Sequence, residues 1–438
     1  MEKYCFNKKS TFTFGLIFVS LIVIYLLALY LSALLPSEKI RTNIRNSVLI
    51  LNDTRDWIDP FAFKDEGPLT INVGSDALMM NVIYNIDPNS PFKSILLNKF
   101  YGNSDFYLSM PNLNSTIKGD ASTEYVYGRY WHGYIAVLSP LLIFFNYVQL
   151  RTINLFVFSI LLFLFIIYST KKLGYFVALA LSLSFVYINF WCIPMAFQYL
   201  SVFYIALIAS LIVLAYDTWS ESFYLKLLFI SASLTAFFDL LSAPLITFGL
   251  PLIFIFMKHE NFFKNQSFKQ IFLLLFRFAL FWALGYLLTW LMKMIIVSVM
   301  YPDIIPEFMR QTLLRVNGVG VGNTFLKVRY FALYGNIKAI FCDFEQLHIL
   351  VFVLFILSWL LFRKKDKFSS ISYVYIILSI IPYIWYLFAA SHSWVHRYFT
   401  YRLQMITILG FLLAYKESID MEKLKSSFMR GYLYLVHY

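Results

Sequence analysis

The sequence predicts an all-α polytopic membrane protein, with about ten transmembrane helices and a large extracytoplasmic first loop carrying interfacial helices. Three observations carry that prediction. Of 438 residues, 60% are hydrophobic and only 14% are charged, whereas soluble domains carry about 25% charge, so hydrocarbon must replace water around most of the surface. Apolar runs approaching the roughly 20 residues that cross a bilayer recur along the chain. Short Lys/Arg clusters separate these runs, and Phe (47) and Tyr (32) are abundant, as where rings fill helix interfaces and headgroup belts.

The first apolar run, 12–35, follows a short N-terminus, 1–11, that holds Lys3, Lys8 and Lys9. It is long for the apolar core of a secretion signal, and no small-residue cleavage site precedes Pro36, so it reads as a retained anchor. Residues 36–151 form the extracytoplasmic loop, and 36–131 alone hold 11 acidic groups. That is too much chain for a mere connector. Spans at 152–169, 174–190, 200–216, 223–239, 244–257 and 271–298 make helices 2–7 of the region 152–300. A second outer loop occupies 301–346, spans at 347–362, 371–388 and 401–415 fill the region 347–415, and 416–438 is a tail.

Orientation follows from the basic residues. With the apolar stretch 133–148 lying along the outer surface, Lys171–Lys172, Lys226, Lys258/Lys264/Lys269 and Arg363/Lys364/Lys365/Lys367 all fall on the cytoplasmic side with both termini. If 133–148 crossed, Lys171–Lys172 and the Arg363–Lys367 cluster would face outward. This arrangement also accounts for the net charge of +12 without nucleic acid as a partner. Cys5, Cys192 and Cys342 have neither metal-ligand spacing nor a paired disulfide framework.

Within the first loop, NVGSDALMMNVIYNIDP reads as a helix capped by Ser75, with Asp76 in its first turn and Pro88 beyond its end. Leu78, Met79, Val82, Ile83 and Ile86 share one face, which predicts a helix lying on the membrane surface. A helix N-terminus favours an ionised Asp76, as a general base requires; a second capping residue would look the same. Asp53, Asp56 and Asp59 are competing bases. Arg129, Trp131, His132 and Tyr134 introduce the interfacial segment, and Arg151 opens the next span; a headgroup girdle has that composition too.

Near the end of the ninth span, SHSWVHRYFTYR brings together His392, His396, Arg397 and Arg402. The two histidines stand at helical spacing, but no HExxH glutamate accompanies them, so metal is not indicated. Cations and aromatics together fit a phosphate site, because guanidinium offers paired donors to phosphate oxygens; an aromatic belt is the alternative. Lys293 lies inside an apolar run, where an ionisable residue is costly and functional by default. From the outer third of its span it could snorkel to an outer-leaflet headgroup, while Arg277 would snorkel at the inner end. Asp239 would pair with one of these cations or be solvated. GVGVGN at 318–323 lacks the Lys-Ser/Thr of a P-loop and reads as a flap.

The order of these pieces resembles the GT-C superfamily of integral membrane glycosyltransferases, especially the protein mannosyltransferase and aminoarabinose transferase branch. GSDALMMNVIYN is similar to that family's Asp-Glu-x-x-Tyr-Ala element, with Asp76 at the acidic position and Ala77 in place of Glu. RYWHGYIAVLSPLLIFFNYVQLRTIN is similar in layout to its His-Pro-Pro-Leu-Tyr-Tyr interfacial helix and Arg-led span, without the double proline. WCIPMAFQYLSVFY resembles its outward turn, with Gln198 where Arg is usual.

The resemblance implies an inverting transferase that takes a sugar from a polyprenyl-phosphate donor to a saccharide or lipid-linked acceptor, such as a cell-envelope polysaccharide. The bacterial plasma membrane is the expected location. Asp76 is the expected base. Lys293, His396, Arg397 and Arg402 are expected at the donor phosphate, and Arg129, His132 and Gln198 at the acceptor or sugar. No cofactor is required. A transporter or flippase of lipid-linked saccharides would show inverted repeats and broken helices, and a polysaccharide polymerase would place its major loop late in the chain.

Overall fold

The computed structural model describes residues 8–53, 73–105, 108–317, 324–341, 345–364, 369–420 and 422–427. Helix dominates, because a chain in hydrocarbon must satisfy each backbone N–H and C=O within its own segment. The N-terminal third runs α1 (Lys8–Ala33), α2 (Ser37–Asp53), α3 (Val73–Tyr84), α4 (Pro91–Leu97), β1 (Phe100–Gly102), α5 (Ser109–Lys118), β2 (Thr123–Tyr125) and α6 (Ile135–Leu142). The two strands pair antiparallel, with Tyr101 opposite Glu124. Then come α7 (Tyr147–Leu173), α8 (Tyr175–Tyr187), a 3-10 turn (Phe190–Met195), α9 (Phe197–Ala215), α10 (Glu221–Phe238), α11 (Ile246–Lys258), α12 (Glu260–Lys264) and α13 (Phe268–Met300). The chain continues through α14 (Ile304–Asn317), α15 (Phe325–Phe341), α16 (Glu345–Phe362), α17 (Ser370–Phe388), α18 (Ala390–Val395), α19 (Arg397–Thr400) and α20 (Gln404–Ser418).

Among the described residues, six helices are long and apolar enough to cross a membrane: α1, α7, α9, α10, α13 and α17. Three shorter apolar helices, α8, α11 and the 348–362 part of α16, accompany them. These long apolar helices make the chain an all-α integral membrane protein. Their lipid-facing character is visible in α1, where Phe12, Leu16, Val19, Val23 and Leu27 form an exposed apolar stripe. The opposite face buries Tyr25, whose hydroxyl meets Ser233 Oγ of α10 at 2.9 Å. Polar caps mark where helices begin: Asn146 and Gln149 form a reciprocal capping box on α7, and Ser267 and Gln270 do so on α13.

Two elements differ from the sequence expectation. Helix α3 begins at Val73, ahead of Ser75, and is enclosed by protein rather than packed on one face alone. Residues 76–83 are buried on every side, because the β1–α5 unit covers the face that the apolar pattern left open. Asn81 donates to the Tyr101 carbonyl at 2.8 Å, and Thr116 of α5 donates to the same oxygen at 2.8 Å. The segment 301–346, expected to be a loop, also contains regular structure, since α14 and α15 both fall within it.

Lys293 also departs from the sequence expectation. Its side chain does not reach a headgroup: it is fully buried, and Nζ donates to the Ile95 carbonyl and to Asn98 Oδ1, both at 3.1 Å. Ile95 lies in the last turn of α4, whose carbonyls lack intrahelical partners, so a lysine of the long apolar α13 caps the short helix α4. One turn below, the Thr289 carbonyl accepts the Trp131 indole N–H at 2.7 Å. Arg277 likewise does not snorkel alone, since its Nε lies 3.1 Å from Glu221 Oε1.

Lys293→Ala should therefore destabilise the fold by ~2–4 kcal/mol, through a cavity and two orphaned acceptors. The exposed Lys327→Ala should change stability by less than about 0.5 kcal/mol. Denaturant or thermal unfolding of the purified protein checks this; equal stability of the two variants would contradict the cap.

Candidate functional site

Asp76 is fully buried where the starts of three helices meet. It sits in the first turn of α3. The hydroxyl of Tyr147, the first residue of α7, donates to Oδ2. The N–H of Phe197, the first residue of α9, donates to both carboxylate oxygens at 3.0 and 3.1 Å, and the Gln198 N–H adds to this. The free N–H groups at a helix start bear partial positive charge, so an anion is held well there. Burial nevertheless pushes the carboxyl up to about 6, against the pull of Tyr147, the two N–H groups and Arg151. The group is ionised at neutral pH and still able to take up a proton just below it.

Around this carboxylate stand buried polar atoms that find no partner among the described residues. Arg151 lies one turn along α7 from Tyr147, its guanidinium 5.4 Å from that ring, with Nε and Nη2 unpaired. Gln198 keeps Oε1 unpaired, and Tyr199 its hydroxyl. Arg402 is fully buried, packed 4.5 Å over the Tyr199 ring and 4.9 Å from the Tyr401 ring. Its Nη1 donates to the Tyr398 carbonyl at 2.9 Å, Nε and Nη2 have no hydrogen-bond acceptor among the described residues, and the guanidinium also interacts with the buried Cys192 thiol. Tyr199 feels both Arg402 and Asp76, which joins the groups electrostatically.

Buried polar atoms are nearly always satisfied, and unpaired buried charge is costly. Several such atoms in one place outline a polar ligand. Arginine stays protonated when buried, so an anion is the kind of group this arrangement can hold, beside a carboxylate able to take up a proton.

The structure thus brings together three residues expected from sequence, Asp76, Gln198 and Arg402. The rest serve otherwise. Nε2 of His132 donates to the Tyr127 carbonyl at 2.8 Å, so Nδ1 accepts from the Tyr134 hydroxyl at 2.8 Å. Both ring nitrogens are spent, and burial, helped by Lys293 and Arg129, lowers its pKa to about 3. Arg129 reaches toward Glu307 at 3.9 Å, with its guanidinium 4.4 Å from the Tyr127 ring. His396 stacks on Phe399 at 5.1 Å, and burial with nearby Arg315 lowers it to about 4. It is neutral at physiological pH and not the cation that the spacing implied. His392 donates Nε2–H to the Leu241 carbonyl at 2.7 Å. Arg397 is half-buried and directs Nη1 at the Trp394 carbonyl, 3.4 Å away. Asp239 pairs with no cation among the described residues and is buried; it accepts the N–H and hydroxyl of Ser242 in its own turn.

The Asp53 side chain, Asp56, Asp59 and the 318–323 glycines lie outside the described residues. Among the described residues no three His, Cys, Asp or Glu side chains converge as metal ligands would. Tyr147 and Tyr199 were not singled out from sequence, and Arg151 was read only as the start of a span. The α7 capping box was the available signal, because it places Tyr147 and Arg151 on one face. No family model, no curated protein and no solved structure matches this chain.

The raised Asp76 pKa has a signed consequence for folding. Between the unfolded value near 4 and the folded value of about 6, the native state holds a proton that the unfolded state has lost. Stability contributed by this group is therefore present below pH 4 and falls as pH rises toward 6. Relative to Asp76→Asn, the wild type should lose melting temperature steadily from pH 4.5 to 6.5. A difference that is flat with pH, or of opposite slope, would contradict the assigned environment.

Proposed function

We propose that this chain is an integral membrane glycosyltransferase of the GT-C type, inverting and dependent on a polyprenyl-phosphate sugar. The observation that carries the reading is one buried carboxylate beside two buried guanidinium groups with unpaired donors. In that chemistry an acceptor hydroxyl attacks the anomeric carbon as the bond from that carbon to the phosphate oxygen breaks. Asp76 takes the hydroxyl proton. Arg151 and Arg402, with the Tyr199 hydroxyl, receive the charge that develops on the departing phosphate, the larger electrostatic contribution. Gln198 Oε1 accepts from a sugar hydroxyl. Lys293 and His132 act at one remove, by fixing α4 and the Trp131 segment over the bundle.

The membrane arrangement suits a lipid-anchored donor. On this reading α8, α11, α16 and α20 cross together with the six long helices, making ten spans. The 36–151 and 301–346 segments then face outward toward a cell-envelope saccharide, and both termini lie in the cytoplasm of a bacterial plasma membrane. A flippase of lipid-linked saccharides would use the same guanidinium contacts and would have no need of a proton acceptor. Asp76 therefore separates the two.

With a polyprenyl-phosphate sugar as donor and membranes carrying the full chain, Asp76→Asn should lower transfer by about 10²–10⁴-fold while donor binding persists. Wild-type transfer should rise through pH 6 and level above it, because the base must be ionised. Undiminished transfer by Asp76→Asn would end the base assignment. As for orientation, a cysteine at Asn114 should react with an impermeant thiol reagent in intact cells, and one at Lys172 only after permeabilisation. The reverse pattern would put the acceptor on the wrong side.

A further inference from the structure

A second feature lies on the lipid-facing side of the bundle. A wholly apolar groove of about 250 Å³ runs between α16, α17 and α20, lined by Phe352, Phe355, Trp359, Ile376, Phe411 and Ala414. That volume falls below the roughly 300–1,000 Å³ of drug-sized ligand pockets, and suits a segment of one hydrocarbon chain. The groove ends where α16 and α20 are stitched together. Lys364 N–H donates to the Ser418 carbonyl at 2.9 Å, and Asp420 N–H to the Phe362 carbonyl at 2.8 Å.

The charges at that end are unevenly engaged. Lys364 Nζ donates to the Glu417 carbonyl at 3.0 Å and Lys423 Nζ to the Leu361 carbonyl at 3.2 Å, capping the last turns of α20 and α16. The Asp420 carboxylate accepts from the Lys423 N–H, Glu422 pairs with Lys425, and Glu417 faces Lys264. Arg363 remains. Its guanidinium stands 5.5 Å from the Trp359 ring, so the indole that walls the groove also orients the cation at its mouth. Among the described residues that guanidinium has no hydrogen-bond acceptor.

An apolar slot with an oriented, unengaged cation at its polar end matches one kind of occupant. We infer that this groove is a binding site for an anionic glycerophospholipid, with an acyl chain between α16 and α20 and the headgroup phosphate on Arg363. Any crease on a membrane protein fills with hydrocarbon, so preference for the anionic headgroup distinguishes a site from ordinary lipid contact. One basic residue near an anionic lipid surface contributes a preference of about fivefold.

The test is native mass spectrometry of the full chain, delipidated and then exposed to equimolar phosphatidylglycerol and phosphatidylcholine of identical acyl chains. The wild type should retain one phosphatidylglycerol over phosphatidylcholine by about fivefold. Arg363→Gln should keep lipid and lose the preference. Ala414→Trp should lose the lipid by filling the groove. Ile376→Trp, at a position 38% exposed and free to project into lipid, should do the same without disturbing the fold. Equal retention of the two lipids by wild type, an unchanged preference in Arg363→Gln, or unchanged retention in Ile376→Trp would each overturn the assignment. So would a polyprenyl phosphate that displaces phosphatidylglycerol at equal concentration.

Discussion

The Asp76 carboxylate is the constraint on which the rest of the site depends. It accepts from a side chain at the start of α7 and from the backbone at the start of α9, while its own backbone opens α3. One buried anion thus fixes the relative placement of α3 and of two helices long and apolar enough to cross a membrane. Because those donors come from helix starts, the positive ends of two backbone dipoles converge on it. Burial opposes ionisation and the donors favour it, and the balance leaves the group near the point where a proton can be exchanged at physiological pH.

The arginines follow from the same geometry. Tyr147 is pinned by Asp76, and Arg151 rises one turn above it on the same helix face. Tyr199 is carried into place by the helix start that binds Asp76, and its ring supports Arg402 from the other end of the chain. Aromatic faces hold these guanidinium groups by cation–π contact without consuming their N–H donors. That arrangement leaves the donors able to engage an anion, whereas in a static ion pair they would be spent. Lys293 shows the contrast, with Nζ engaged by Ile95 and Asn98.

Much of the architecture was legible because hydrocarbon imposes local rules. Each of the ten expected apolar segments is helical, and among the described residues six of those helices are long and apolar enough to cross a membrane, since a span must satisfy its own backbone and so announces itself by length and composition. Asp76 was legible as a helix-start carboxylate, but its burial was not. The β1–α5 cover that encloses it is built from residues 100–118, and the donors come from Tyr147 and Phe197, none of them encoded in the local pattern. The errors share one cause. Lys293 and His396 at the donor phosphate, and His132 at the acceptor or sugar, were read by chemical type as groups facing a ligand, whereas tertiary partners decide their state. A carbonyl from α4 engages the lysine, and burial keeps both histidines neutral. Asp239 is satisfied by its own turn, which only the left-handed conformation at Leu241 reveals.

The central claim is that Arg151 and Arg402 grip one anionic ligand. A double-mutant cycle on equilibrium binding of a polyprenyl phosphate, with Arg151→Gln, Arg402→Gln and both together, tests it most directly. Residues that share a ligand couple by about 0.5–3 kcal/mol, whereas independent sites add within ~0.5 kcal/mol. Each single variant should weaken binding, and the pair should show coupling in the former range. Wild-type affinity in both single variants would show that the two guanidinium groups are packing elements and that the anion site does not exist.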